Sequence, residues 1–276
     1  MVITDDFIYI HMPKTGGTFV TDVLNRIHEI PPPRRWERIR RAAVALFPSL
    51  LSPTRYGPFL NIEPKHGTCH DVPALHRHKP LLSTVRNPYD WYVSQYEFAW
   101  WKRVFEYHPE PYPTPVGFAI ERALPVFEEE HPEFPEINFE TFIELCDRSS
   151  LVYEGEAGKR LGLLTHGFIR YFYRDVEVVL SRLDHNYIRS GRHRELMFAV
   201  EFLRTHRLNR DLCDALLARG YEPDDVAFIH GLGKVLPMGR GRGDFQAWDG
   251  YYTPDLKAHV REREWVLFEM FPEFDV

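Results

Sequence analysis

The sequence is poor in cysteine and has no long hydrophobic run. Three of its 276 residues are cysteines, Cys69, Cys146 and Cys213, and no two of them form a C-x-x-C pair. This excludes a disulfide framework and a zinc site made of cysteine alone, and it fits a reducing compartment. The longest uncharged apolar stretch, 42–54, contains two prolines and is too short to span a bilayer.

Positive charge is not in excess either. The chain has 34 Lys and Arg residues against 40 Asp and Glu residues, a formal net charge of −6. No global positive field therefore attracts nucleic acid, and any attraction for an anion must come from a local site. The first residues are acidic where a secretory signal is basic, so we expect a cytoplasmic protein.

Strands alternate with helices along the chain. A β-prone run at 7–10 leads into a glycine-containing loop at 13–18, and apolar residues then recur at helical spacing over 19–27. A second unit follows the same order, with a strand over 80–85 and a helix over 88–102 that an Asn-Pro pair opens. This alternation predicts an α/β fold with a largely parallel sheet flanked by helices.

Shorter periodic segments predict further elements. They are strands near 59–62 and 198–203 and helices near 139–146, 208–217 and 256–271. The chain shows no internal repeat, so one domain over 1–276 with irregular insertions is the simplest organisation. Proline-rich stretches lie within 31–58 and 104–137, and we expect these two insertions to face the substrate.

The first loop has the composition of an anion site. It consists of Pro13, Lys14, Thr15, Gly16, Gly17 and Thr18. Two glycines let the backbone bend until several N–H groups converge, and the following helix adds its positive N-terminal end. The Lys14 ammonium reaches the same place, and the hydroxyls of Thr15 and Thr18 add donors. The alternative is that the glycines fit a strand-to-helix turn for steric reasons alone.

This loop is not a Walker A motif. That motif needs a glycine, four residues and then Gly-Lys-Ser or Gly-Lys-Thr, whereas here the lysine comes before the glycines. No such motif occurs elsewhere in the chain. ATP is therefore not the default ligand.

A second motif lies at the end of the strand predicted over 80–85. Arg86 directly follows that strand, an Asn-Pro pair comes next, and Ser94 stands eight positions after the arginine. Together with the loop at 13–18, this motif resembles the sulfotransferase superfamily, whose members use 3′-phosphoadenosine 5′-phosphosulfate (PAPS). The resemblance implies a P-loop-like three-layer α/β fold. It also implies that 13–18 holds the 5′-phosphosulfate and that Arg86 and Ser94 hold the 3′-phosphate.

The residue types fit these roles, and each also has a plain structural alternative. An arginine at a strand end offers a planar fork to phosphate oxygens, but Arg86 would equally pair with a carboxylate. A basic segment at 239–243, before Trp248, is similar to the family segment that brings cations to the 3′-phosphate. This similarity makes Arg240 and Arg242 candidates. The alternative is a flexible basic surface loop.

A histidine after the strand near 59–62 is the best-placed catalytic base. Sulfuryl transfer to a hydroxyl needs a base for its proton, and histidine titrates closest to neutrality. His66 follows that strand at the sheet edge where α/β folds bind ligands, and the superfamily carries its His or Glu base in this region. Glu63 and His70 are the alternatives. Lys14 would stabilise the departing phosphate.

The resemblance implies direct in-line transfer of a sulfuryl group from PAPS to a hydroxyl of a carbohydrate or small molecule. It implies no metal, and His66 with His70 lacks an obvious third ligand. Aromatic residues at 96–112 suit a sugar or apolar acceptor, and five arginines at 34–41 suit an anionic one. Core packing and a solvated helix face explain the same residues.

The same residues are compatible with two other functions. A nucleotide-dependent phosphotransferase would also use an anion loop and arginines. A non-catalytic nucleotide-binding or carbohydrate-binding protein of the same fold would keep the motifs without the activity.

Overall fold

The computed structural model describes residues 1–28, 56–57, 59–62, 65–99, 101–102, 126–149, 160–233 and 247–276. The strands are β1 (Val2–Ile3), β2 (Ile8–Ile10), β3 (Leu60–Asn61), β4 (Leu81–Val85) and β5 (Val200–Arg204). The main helices are α1 (Gly17–Ile27), α2 (Pro88–Phe98), α3 (Phe139–Ser149), α4 (Leu163–Phe172), α5 (Val176–Arg182), α6 (His185–Arg189), α7 (Leu208–Leu217), α8 (Pro223–Val226), α9 (Pro254–Arg263) and α10 (Trp265–Met270). Within the described ranges, none of the helices has the length and apolar character needed to cross a membrane.

The described chain folds as two compact units. The first comprises Met1–Val85 and Ala199–Val235, and the second comprises Arg86–Phe198 and Leu236–Val276. All three cysteines are buried free thiols. Most of the two insertions predicted at 31–58 and 104–137 lies outside the described residues, so one domain with substrate-facing insertions stays a prediction.

One mixed sheet forms the centre of the first unit. Its five strands have the order β3-β1-β2-β4-β5. β2, β4 and β5 pair in parallel, whereas β1 pairs antiparallel with both β2 and β3. The α/β class is therefore confirmed, and the expectation of a largely parallel sheet is corrected to a mixed one. The sequence pattern missed β1 because two residues are too few to show a period of two.

Helices α1 and α7 pack against one face of this sheet. The apolar residues of α1 recur three and four positions apart, which puts Phe19, Val20, Val23 and Leu24 on one buried side. Residues from the strands and from α7 complete the core, among them Tyr9, Leu82, Leu203, Leu212 and Leu216. Full burial of a large apolar side chain stabilises a fold by about 1.5–3 kcal/mol, so this core holds the sheet and the two helices together.

Helix α2 of the second unit begins where the sequence predicts it and ends earlier. The Asn87 side chain caps its first turn, and Pro88 occupies the first helical position. The sequence predicts that the helix continues to Lys102. Instead, Ala99 takes a left-handed φ of 50°, and its N–H donates to two carbonyls of the last turn. Glycine is the usual residue in that position, so the alanine gives no signal that the helix ends.

A buried carboxylate interrupts the C-terminal helix of the second unit. The sequence predicts one helix over 256–271, but the chain forms α9 and α10 with Glu264 between them. The Glu264 carboxylate is fully buried and accepts four hydrogen bonds of 3.0 Å or less. The donors are the Tyr92 hydroxyl, the Leu164 N–H, and the N–H and hydroxyl of Thr165. Glu264 thus fills the N-terminal end of α4, although burial still raises its pKa.

Replacing Glu264 with glutamine should destabilise the protein. The amide NH₂ would face N–H and O–H donors and leave at least one of them without an acceptor, which costs about 1–3 kcal/mol. Because the folded pKa of Glu264 lies above the ordinary value of 4.5, its contribution to the free energy of unfolding is largest below that pH. The contribution declines as pH rises through the folded pKa. Urea unfolding at several pH values should therefore show that the difference in free energy of unfolding between wild type and Glu264→Gln becomes smaller as pH rises.

Glu262, exposed on α9, provides the matched control. Glu262→Gln should change the free energy of unfolding by less than about 0.5 kcal/mol. If the difference in free energy of unfolding between wild type and Glu264→Gln increases with pH, the pKa of Glu264 is not raised in the folded protein.

Candidate anion-binding loop and catalytic base

Three segments of the first unit meet at one edge of the sheet. Because β1 is antiparallel to both of its neighbours, β3 runs in the same direction as β2, β4 and β5. The loops that follow β2, β3 and β5 therefore begin at the same edge, where α/β folds bind ligands. Two hydrogen bonds connect them, from His66 to the carbonyl of His11 and from Thr205 to the carbonyl of Thr15.

The backbone of the loop at 13–18 is left-handed at two positions. Lys14 and Gly16, on either side of Thr15, have left-handed φ values of 63° and 101°. Helix α1 begins directly afterwards, without a side-chain cap at Gly16 and without an acidic residue in its first turn. The first N–H groups of a helix have no carbonyl partner inside the helix and carry partial positive charge. This end of α1 therefore attracts an anion.

The two glycines of the loop are required for different reasons. A Cβ on Gly16 would lie 2.7 Å from Cδ2 of Leu208, and the left-handed φ disfavours any side chain there. A Cβ on Gly17 would lie 2.0 Å from the ring of His11, which packs against the start of α1. The sequence predicts that both glycines bend the backbone. In the structure Gly16 does so, and Gly17 makes room for the imidazole.

Thr15 is fully buried, and its hydroxyl ends a chain of hydrogen bonds. It donates to the carbonyl of Met12 at 2.8 Å and lies 2.7 Å from the Thr84 hydroxyl, which lies 2.8 Å from the Tyr9 hydroxyl. Because each hydroxyl has one proton, Thr84 donates to Thr15 and Tyr9 donates to Thr84. The Thr15 proton is therefore used inside the core. Thr15 shapes the loop, and its hydroxyl is not the anion donor that the sequence predicts.

The other side chains of the loop are closer to solvent. Pro13, Lys14 and Thr18 are each partly exposed. The Lys14 ammonium and the Thr18 hydroxyl are thus the loop side chains with polar groups suited to an anion.

His66 lies against His11 at the start of the loop. Nδ1 of His66 is 3.1 Å from the carbonyl oxygen of His11, and the two rings meet edge to face with centroids 4.7 Å apart. A carbonyl only accepts hydrogen bonds, so Nδ1 of His66 carries the proton and Nε2 is the proton acceptor of the neutral ring. This is the tautomer that a general base needs.

His11 itself is uncharged at neutral pH. Burial lowers the pKa of His11 to about 2, with smaller contributions from the positive charges of His66 and Lys65. Its imidazole therefore serves as packing for the start of α1, and its carbonyl orients His66.

The alternative bases differ in their surroundings. His70 is exposed on the short turn Cys69–Asp71, which Thr68 and Asp71 close with a capping box. Glu63 lies outside the described residues. For His66, the structure provides a hydrogen bond that selects a basic tautomer.

In the second unit, Arg86 forms an ion pair with Asp90. Nε of Arg86 is 2.6 Å from Oδ2 of Asp90, and both side chains are mostly buried. Ser94, partly exposed, lies one helical turn beyond Asp90 on α2. This ion pair is the arrangement that the structural alternative for Arg86 predicts. A phosphate at this position would share the guanidinium with Asp90.

The C-terminal motif is only partly described. Arg240 and Arg242 lie outside the described residues. Trp248 stacks on Tyr89 with ring centroids 5.2 Å apart, and Nζ of Lys257 is 5.4 Å from both ring centroids. The sequence pattern did not predict this stacked pair with its cation, which belongs to the second unit.

One group of side chains in the described part of the chain has metal-ligand chemistry. Ligand atoms of Glu130, His131 and Glu144 lie within 4.8 Å of one another in the second unit. Arg148 forms ion pairs with both glutamates, so a guanidinium already balances their charge. The group includes none of the site residues predicted from sequence.

Three residues of the sheet edge were missed from sequence. They are His11, Thr84 and Thr205, which pack against, hydrogen-bond to or hold the loop at 13–18. Each lies at or directly after the carboxyl end of a strand that points to this edge. A polar residue in that position is the signal that could have identified them.

Comparisons of the chain with protein-family models, with curated proteins and with solved structures find no match.

Proposed function

We propose that the protein is a PAPS-dependent O-sulfotransferase acting on a hydroxyl of a carbohydrate or small molecule. The observation that carries the proposal is the shape of the loop at 13–18. Two left-handed residues lead into a helix that has neither a side-chain cap nor an acidic residue in its first turn. Such a cradle fits a phosphate group. A P-loop-like layer arrangement, a cytoplasmic location and independence of metal and nucleic acid belong to the proposal.

The loop is assigned to the 5′-phosphosulfate end of the donor. When bound, PAPS supplies an activated sulfuryl group attached to a phosphate. The first N–H groups of α1 and the ammonium of Lys14 would share the negative charge of that phosphate. Because Lys14 is only partly exposed, its charge is less screened than that of a lysine in open solvent.

His66 is assigned the role of general base. Its Nδ1–H donates to the carbonyl of His11, which leaves Nε2 as the atom that takes the proton of the acceptor hydroxyl. The neighbouring His11 stays neutral, so it adds no competing positive charge when His66 becomes protonated.

Arg86 and Ser94 are assigned to the 3′-phosphate, with Asp90 as the group that orients the guanidinium. A carboxylate that holds Nε fixes the plane in which an arginine presents its donors. Arg240 and Arg242 are assigned as additional cations from the undescribed basic segment.

The Arg86–Asp90 ion pair also favours a second candidate function. If Asp90 neutralises Arg86 in every state, Arg86 does not bind a 3′-phosphate. The loop would then hold the phosphate of an ordinary nucleotide, as in a phosphotransferase. A protein that binds nucleotide or carbohydrate without turnover would share the same geometry.

Nucleotide-induced stabilisation should distinguish these functions. A ligand at 100 times its dissociation constant adds about 2.7 kcal/mol to the free energy of unfolding, which raises the thermal midpoint by several degrees. The proposal predicts such a shift with 3′,5′-bisphosphoadenosine and little shift with ADP or AMP at the same concentration, measured by scanning fluorimetry. Equal shifts with the bisphosphate and ADP would support the phosphotransferase. No shift with any nucleotide would contradict both.

Substitutions at Lys14 should separate its charge from its backbone conformation. Lys14→Ala and Lys14→Gly both remove the ammonium, so both should bind the bisphosphate at least about tenfold more weakly by calorimetry. A left-handed backbone favours glycine over alanine by about 1 kcal/mol, so the glycine variant should be the more stable of the two in urea. The two variants would then differ in their free energy of unfolding but not in their affinity for the bisphosphate.

Gly191 calibrates this comparison. It has a left-handed φ of 74° with open space where a Cβ would be, so Gly191→Ala measures the cost of that Cβ alone. If Gly191→Ala is destabilised while the two Lys14 variants are equally stable, the backbone conformation assigned to Lys14 is wrong. Full nucleotide affinity in both Lys14 variants would refute the role of the ammonium.

Replacing His66 with glutamine should stop turnover without preventing binding. Glutamine keeps an N–H donor for the carbonyl of His11 but does not accept a proton, so kcat should fall by about 10²–10⁴-fold. The affinity for bisphosphoadenosine and the thermal midpoint should stay close to wild type. The assay is release of bisphosphoadenosine from PAPS with an acceptor identified by screening hydroxyl compounds. His70→Gln, on the exposed turn, is the control and should keep its rate, and the reverse result would assign the base to His70.

A further inference from the structure

Thr205 connects the candidate loop to two strands of the first unit. It is the first residue after β5, and its hydroxyl lies 2.6 Å from the carbonyl oxygen of Thr15 and 3.0 Å from that of Val85. A hydroxyl has one proton, so the two carbonyls share it in a three-centre hydrogen bond. One side chain therefore joins the end of β5, the end of β4 and the loop after β2.

The bond to Thr15 sets the direction of the next N–H group. The peptide between Thr15 and Gly16 is planar and trans, so the Gly16 N–H points opposite to the Thr15 carbonyl. Because Thr205 holds that carbonyl, the Gly16 N–H points away from Thr205. The two residues are in close proximity: a Cβ on Gly16 would be 3.7 Å from the Thr205 methyl group.

The conformation of the loop is energetically unfavourable without restraint, so we expect it to change if the hydrogen bond from Thr205 is removed. The left-handed φ of Lys14 costs about 1–2 kcal/mol for a residue with a side chain. The Thr15 hydroxyl is held by Met12 and Thr84, but those bonds restrain the side chain and not the carbonyl. Among the hydrogen bonds described for the loop, the one from Thr205 restrains the Thr15 carbonyl directly.

We infer that Thr205 is a positioning residue for the anion loop. Its hydroxyl holds the Thr15 carbonyl so that the Gly16 N–H and the first N–H groups of α1 are directed at one anion. The inference rests on the proposed function of the loop and adds a residue to it. Thr205 acts through Thr15, and its effect is on affinity, because a loop already held in its binding shape need not be ordered by the ligand.

The test is a calorimetric titration with 3′,5′-bisphosphoadenosine and, separately, with inorganic sulfate. Thr205→Val removes the hydroxyl and keeps the shape of the side chain, so both ligands should bind about tenfold more weakly. Thr205→Ser keeps the hydroxyl and should bind as wild type does. Thr21→Val is the matched control: the Thr21 hydroxyl donates at 2.9 Å to the Gly17 carbonyl within α1, so its loss leaves the Thr15 carbonyl held, and both ligands should bind as they do to wild type.

A purely structural role predicts a different pattern. If Thr205 only ties strand ends together, Thr205→Val will lower the thermal midpoint, but the folded protein will bind with wild-type affinity. That result would overturn the inference. Should the valine variant fail to fold, Thr205→Ala and Thr205→Ser provide the same comparison, because they differ only in the hydroxyl.

Failure of the inference and failure of the proposed function give distinguishable results. If wild type and all variants bind the bisphosphate equally, only the inference is overturned. If wild type binds sulfate but not the bisphosphate, the sulfotransferase proposal is overturned, and the sulfate titrations still decide the role of Thr205. If wild type binds neither ligand, both are overturned.

Discussion

The hydrogen-bond chain from Tyr9 through Thr84 to Thr15 connects the core of the first unit with its candidate loop. Its hydroxyls are buried, so each must find its partner inside the protein, and the carbonyl of Met12 at one end fixes the direction of donation throughout. The residues on either side of Thr15 have left-handed backbone. The conformation of the loop thus depends on the strands that hold Thr15 as well as on Gly16 within the loop.

The N-terminal ends of helices α1 and α4 differ in whether a carboxylate of the chain lies against them. Helix α4 receives the buried carboxylate of Glu264, and a Cβ on Gly162 would lie 2.0 Å from that carboxylate, so the end is filled from within the chain. Helix α1 has no acidic residue in its first turn and no side-chain cap at Gly16. Both ends carry partial positive charge. The contrast gives a physical reason to assign a ligand to α1 and none to α4.

Much of the fold could be predicted from residue spacing, and the misses have physical causes. Helix α7 has the predicted bounds, and β4 differs by one residue, because both have clear apolar patterns. The helix break at Glu264 was missed because it depends on a buried contact with another helix. The loop at 13–18 and His66 could be proposed as site residues because their signals are local, and their roles stay predictions. Thr205 could not, since it contacts Thr15 across 190 positions of sequence.

The ring of His11 occupies the space where a Cβ of residue 17 would lie. The residue types allowed at positions 11 and 17 therefore depend on each other. A methyl group at 17 would require a smaller residue at 11, so among related sequences the two should change together or not at all. The hydrogen bond of His66 does not depend on this coupling, because it goes to the backbone carbonyl of residue 11, which every residue type has, although the ring contact between His66 and His11 does. Packing at the sheet edge therefore restricts which residue can stand at 17, whereas the hydrogen bond of His66 does not restrict which side chain stands at 11.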